Sequence, residues 1–142
     1  MSFSIYHNLV VKAKITDVYN AISQPKHLIN WWPLYCKGIP EKGEIHNFNF
    51  TDTYNWFAEV ISCETNNHIY YKMKVSDKDW NTTTFGFDLK AENNTVTIEF
   101  WHKDWQTCNT EFRQSSYCWA ILLQGLKNYL EKGTVIPFEN RE

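Results

Sequence analysis

From Gly43 to His102 apolar and polar residues alternate with a period near two, and from Phe112 to Gly133 they recur with a period near 3.6. The first pattern predicts an antiparallel meander. His46, Phe48 and Phe50 share one side of a strand; Ile69, Tyr71, Met73 and Val75 share a side of another, opposite Tyr70, Lys72 and Lys74. Thr83, Phe85, Phe87 and Leu89, then Val96, Ile98, Phe100 and His102, continue the series. Thr51-Asp52, Asn66-Asn67, Asp77-Lys78-Asp79 and Glu92-Asn93-Asn94 supply the turns between strands. The strand from Asn55 to Cys63 reads either way, because Trp56, Ala58 and Val60 compete with Phe57 and Ile61 for the inner face.

The second pattern predicts one long amphipathic helix. Trp119, Leu122, Leu123, Leu126 and Leu130 form a stripe, with Ala120, Gln124, Lys127 and Glu131 opposite. Ser115 and Ser116 are candidate early-turn or N-cap oxygens, Lys132 suits the negative end of the helix dipole, and Gly133 suits a left-handed C′ residue. Gly125, unfavourable inside a helix, suggests that a sheet backbone or a ligand passes close to it.

Upstream, residues 3 to 13 alternate as a first strand with Ile5, His7, Leu9 and Val11 on one side. Two short helices follow. Thr16 or Asp17 can cap the first, which carries Val18, Tyr19, Ala21 and Ile22 and stops at Pro25; the second carries His27, Leu28 and Trp31 before Pro33. The expected fold class is α+β. A curved antiparallel sheet of about six strands wraps round the long C-terminal helix in a helix-grip, with two short helices after strand one and space left between sheet and helix.

Composition narrows this picture. A chain of 142 residues is read as a single domain. A net charge of −2 with interspersed signs gives no basic stripe for nucleic acid. No apolar run is long enough to span a membrane, and the N-terminus lacks the order of a signal peptide, so a cytoplasmic location is expected. Cys36, Cys63, Cys108 and Cys118 are widely spaced and read as reduced thiols, and Asn81-Thr82-Thr83 and Asn93-Asn94-Thr95 read as turn residues rather than glycan acceptors. Aromatic residues make up 17% of the chain, with seven Trp, which fits either a dense core or an aromatic-lined cavity.

The segments ITDVYNAISQPKHLINWWP, TTTFGFDLKAENNTVTIEFWHKDW and CWAILLQGLKNYLEKG, in this order, resemble the START/Bet v1-like (SRPBCC) superfamily, and within it the branch related to the C-terminal domain of Hsp90 ATPase activators. The matching motifs are Val18-Tyr19-Asn20-Ala21-Ile22, Trp31-Trp32, Thr95-Val96-Thr97-Ile98 and the helix from Trp119 through Leu123 to Leu126-Lys127. These are packing signals, so they carry the fold and transfer no catalytic residue. The resemblance implies a protein that encloses a small hydrophobic or aromatic molecule. It also admits a co-chaperone-like interaction domain whose partner is an Hsp90-type chaperone, or a cyclase- or hydratase-like enzyme.

The expected ligand-binding wall combines the inward strand residues Phe48, Phe50, Tyr71, Met73, Phe85, Phe87, Phe100 and His102 with the helix residues Trp119, Leu122, Leu123 and Leu126. Core packing is the competing use of the same side chains. Trp31-Trp32, with Tyr35 and Trp105, is expected at the mouth, as a rim or as a plug. His102 is the one candidate for acid–base chemistry, with Asp104 as orienter or Glu99 on the opposite face. Ser115 and Ser116 lack a nucleophile elbow, and Cys118 beside Trp119 reads as buried and inert. His7, His46 and His102 share an inward direction without metal-binding spacing, and no metal or cofactor is expected.

Overall fold

In the computed structural model, which describes residues 1–141, the alternating segments pair into one seven-stranded antiparallel sheet. Its strands are β1 (Phe3–Val11), β2 (Tyr35–Lys37), β3 (Ile45–Asn49), β4 (Asn55–Glu64), β5 (His68–Val75), β6 (Thr84–Glu92) and β7 (Thr95–Trp105), in spatial order β1-β7-β6-β5-β4-β3-β2. The helices are α1 (Ile15–Ser23), α2 (Pro25–Leu28) and α3 (Thr110–Lys132), followed by a 3-10 turn over Phe138–Asn140. This is the helix-grip arrangement. The strand beyond the expected six is β2, whose three residues are too few to show a period; it pairs with the outer edge of β3.

Curvature has a local cause. Register shifts interrupt the β1–β7 ladder between Phe3 and Ile5, and the β4–β5 ladder between Phe57 and Ala58 and between Val60 and Ser62. Each bulge bends its strand and increases its twist, so the sheet coils towards α3. The shifts also settle the facing of β4: Ala58 and Val60 are fully buried, whereas Phe57 and Ile61 are partly exposed. Asn66 and Asn93, at φ 64° and 55°, take the left-handed positions in the two asparagine turns.

On the outer face Gly86 lies beneath the rings of Tyr70 and Trp101. A Cβ there would stand 2.4 Å from Trp101 Cζ2 and 2.5 Å from Tyr70 Cδ1, so the rings occupy the space a side chain would need. Asp88 holds both rings, accepting from the Tyr70 hydroxyl and, at 2.9 Å, from Trp101 Nε1.

Helix ends differ from expectation in two places. α3 starts earlier than its serines suggested: Asn109 is the N-cap, its side chain accepting from Phe112 N at 3.0 Å, and Ser115 and Ser116 lie inside the helix. Gly133 takes the expected left-handed C′ position, at φ 69°. In α1 the N-cap is Lys14 with no side-chain cap, so Thr16 and Asp17 fall within the first turn. The C-terminal carbonyls of α1 are instead satisfied from the fold around it. Trp31 Nε1 donates to Ala21 O at 2.9 Å, the Tyr71 hydroxyl to Ile22 O at 2.8 Å, and His46 Nε2 to Ser23 O at 2.9 Å.

The stripe of α3 packs as expected, with Trp119, Leu122, Leu123 and Leu126 buried. Lys127 and Glu131, on the far side, reach to the end of β1: Lys127 Nζ donates to Val10 O at 2.7 Å, and Glu131 accepts from Lys12 N at 2.8 Å. At Gly125 the expected sheet backbone is not found, because nothing of the fold lies within 4 Å of where its Cβ would stand. Among the described residues no helix is long and apolar enough to cross a membrane.

Candidate functional site

At one end of the grip the sheet and α3 diverge, and a cleft of about 510 Å³ opens between them. Six pieces of chain build it. The β3–β4 turn brings Phe50, Thr51 and Tyr54, and β4 brings Trp56; the β5–β6 turn brings Asp77 and Trp80. The first half of α3 turns Glu111, Gln114, Ser115, Cys118, Trp119 and Leu122 towards it, and the C-terminal segment closes one side with Phe138, Glu139 and Arg141. Trp32 forms the floor beside Trp119, with ring centroids 4.9 Å apart.

The walls are a continuous chain of rings. Trp119 faces Trp80 at 5.9 Å, Trp80 meets Trp56 at 4.8 Å, Trp56 meets Phe50 at 5.1 Å, and Phe50 returns to Trp32 at 5.7 Å. Trp80 is oriented by its indole N–H, which donates to Ser115 Oγ at 3.1 Å. Arg141 is buried, and its guanidinium donates to Ile136 O at 2.8 Å, Trp32 O at 3.3 Å and Pro33 O at 3.2 Å. These bonds latch the C-terminal segment across the WWP corner.

Of the expected wall, the structure brings Trp32, Phe50, Trp119 and Leu122 to the cleft. The other side chains sit elsewhere, for a packing reason. Phe48, Tyr71, Met73, Phe85, Phe87, Phe100, Leu123 and Leu126 are buried in the interior, where Tyr71 stacks on Phe85 at 5.1 Å and Phe100 meets Trp119 at 4.4 Å. Along this stretch the rings of sheet and helix pack on one another and are not turned to the cleft. Tyr35 is not at the mouth either: it lies on edge strand β2 and is 65% exposed. Trp31 and Trp105 are buried, so of the expected rim only Trp32 touches the cleft.

His102 lies behind the cleft wall, fully buried, and both ring nitrogens are committed. Trp119 Nε1 donates to Nδ1 at 3.1 Å, and Nε2 lies 2.8 Å from Thr83 Oγ1, which in turn donates to Trp80 O at 2.6 Å. An indole nitrogen can only donate, so Nδ1 must accept and the ring is the neutral Nε2–H tautomer. Burial lowers its pKa to about 3. The pairing with Asp104 does not form, because Asp104 is exposed at φ 72°, and Glu99 faces outward in an ion pair with Lys90 at 3.0 Å. The imidazole thus orients Trp119 and joins Trp80 to the sheet. His7 donates to Ser116 O at 3.1 Å and His46 to Ser23 O, so the three inward histidines serve three separate sites.

Residues 12–131 match the family model described as Activator of Hsp90 ATPase homolog 1-like protein. The chain belongs to this family. Among solved structures it is similar to the Aha1 dimer from Colwellia psychrerythraea, at 22% identity and TM-score 0.84 over 93% of this chain and 98% of that one. It is also similar to the protein SSP2350 from Staphylococcus saprophyticus, at 18% identity and TM-score 0.80 over 94% and 96% of the two chains. CalU16 from Micromonospora echinospora matches at 16% identity and TM-score 0.75 over 93% and 78%. At these identities the likenesses speak for the fold. No curated protein matches the chain.

In this member of the Hsp90 ATPase activator-like family, two rings of the cleft, Trp80 and Phe138, are residues that strand alternation does not flag. Trp80 sits in the turn after β5, and Phe138 follows Pro137 beyond the long helix. A large ring in a turn was the available signal, since burying it there requires another element to cover it.

Proposed function

We propose that this protein binds a small, largely aromatic or apolar molecule in the cleft between the diverging end of the sheet and the first half of α3. The observation that supports the reading is the cleft itself: about 510 Å³, walled by Trp32, Phe50, Trp56, Trp80 and Trp119. Sites for small ligands commonly hold roughly 300 to 1,000 Å³ behind mainly apolar walls with few polar groups. Here the polar groups are Ser115, Gln114, Thr51 and the charged residues at the rim.

Native mass spectrometry of the protein purified from its own host tests this without assuming a ligand. The expected result is a retained small molecule, absent from Gln114→Trp, in which an exposed helix position gains a ring that fills the cleft. Tryptophan emission should respond to aromatic compounds in the parent and not in the variant. No retained mass, together with unresponsive emission, would remove the proposal. A second reading, docking to an Hsp90-type chaperone, has the support of the family description. Titration against the host's Hsp90 separates the two, since a shift that survives Gln114→Trp would place the docking surface outside the cleft.

A further inference from the structure

The walls and rim of the cleft together select the charge of an occupant. Trp56, Trp80 and Trp119 follow one another at 4.8 and 5.9 Å, and Trp32 stands 4.9 Å from Trp119. Indole faces carry negative potential and attract cations, most strongly where water is excluded. The ionisable lining is lopsided: Asp77, Glu111 and Glu139 supply three carboxylates against the one guanidinium of Arg141, and no lysine lines the cleft.

The three acids are on exposed residues from three different segments, and none is in a salt bridge among the described residues. Arg141 offsets part of this charge through its attraction to Glu139, and the lining keeps an excess of carboxylates. The Nε and Nη1 hydrogens of Arg141 are spent on the carbonyls of Ile136, Trp32 and Pro33, which fix the guanidinium against the backbone.

We propose that the cleft takes an organic cation: an aromatic or apolar body bearing an amine or quaternary ammonium group, the cation lying against the indoles with the carboxylates around it. This rests on the cleft being a small-molecule site, as proposed above. An apolar body alone would gain from burial but would leave the acidic rim without a partner. An anion would meet three carboxylates and the ring faces, with the single guanidinium of Arg141 against them.

Three probes of similar shape test the idea by calorimetry and tryptophan emission: benzyltrimethylammonium, its neutral carbon isostere neopentylbenzene, and the anion phenylacetate. The cation should bind about tenfold tighter than the neutral probe, with the anion weakest. In the variant Asp77→Asn/Glu111→Gln/Glu139→Gln, made only at exposed positions and checked by circular dichroism, the cation should lose about tenfold while the neutral probe is unchanged. Added salt should weaken the cation alone. Equal binding of neutral and cationic probes overturns the charge selection and leaves the small-molecule site standing. Preference for phenylacetate overturns it in favour of Arg141 as the orienting group. Binding of none of the three removes both the selection and the site.

Discussion

Acidification should destabilise this protein through His102 before most of its carboxylates are protonated. The imidazole is fully buried with Nδ1 occupied by the Trp119 N–H, so the folded state binds a proton only at about pH 3, whereas the unfolded chain binds one near 6.5. Between those values the unfolded state carries the extra proton, so stability falls as pH drops through 6.5 and stops falling from this source near 3. At roughly 1.4 kcal/mol for each pH unit below 6.5, His102 alone removes on the order of 2–3 kcal/mol between pH 7 and pH 4.5. His46, also lowered by burial, acts in the same direction.

Urea unfolding at a series of pH values, for the parent and His102→Asn, isolates the effect. Every other titrating group is shared, so the difference between the two curves belongs to position 102. The variant should be less stable at pH 7, having lost a ring from the core, yet lose roughly 2–3 kcal/mol less on going to pH 4.5. Ring ¹⁵N shifts of the parent give a second reading that does not depend on the variant's folding: His102 should stay neutral, protonated at Nε2, as long as the protein is folded. Parallel curves, or a folded-state titration of His102 near 6.5, would refute the reasoning.

Three substitutions test the packing. Gly125→Ala should stabilise by about 0.5–1 kcal/mol, read as a rise of about 3 °C in Tm, because its Cβ meets nothing within 4 Å and the helix gains propensity. Gly86→Ala should destabilise by roughly 2 kcal/mol in denaturant melts, since its Cβ would overlap Trp101 and Tyr70, which Asp88 holds in place. Asn109→Ala should cost about 1 kcal/mol by removing the bond to Phe112 N, whereas Asn109→Ser should retain a cap there without setting a carboxylate against Asp79; amide exchange in the first turn of α3 reports the difference.

Much of the fold was legible because it rests on local periods. Two-residue alternation in β5, β6 and β7 set which side chains face inward, and the stripe Trp119-Leu122-Leu123-Leu126 set the buried side of α3. The turn asparagines Asn66 and Asn93 were readable for the same reason, since few residues tolerate positive φ. What periodicity could not report was distance between segments. Gly125 breaks local propensity, and only the neighbouring elements show that nothing approaches it. Asn109 outcompeted Ser115 as the cap because the connection after β7 enters the helix earlier than the apolar stripe does.

The candidate site divides along that line. The pattern along the chain determined that the rings of β3, β5, β6 and β7 point inward at α3, which is a property of neighbours in sequence. Whether inward meant cavity or core depended on how closely sheet and helix approach at each level. Tertiary structure decided it: Phe85, Phe87 and Phe100 are locked into the interior, and the opening lies where the β5–β6 turn brings Trp80 and the C-terminal segment brings Phe138 and Arg141. Those groups meet through contacts across 35 to 109 positions of chain, such as Trp80 with Ser115 and Arg141 with Trp32, and no local period records such a distance.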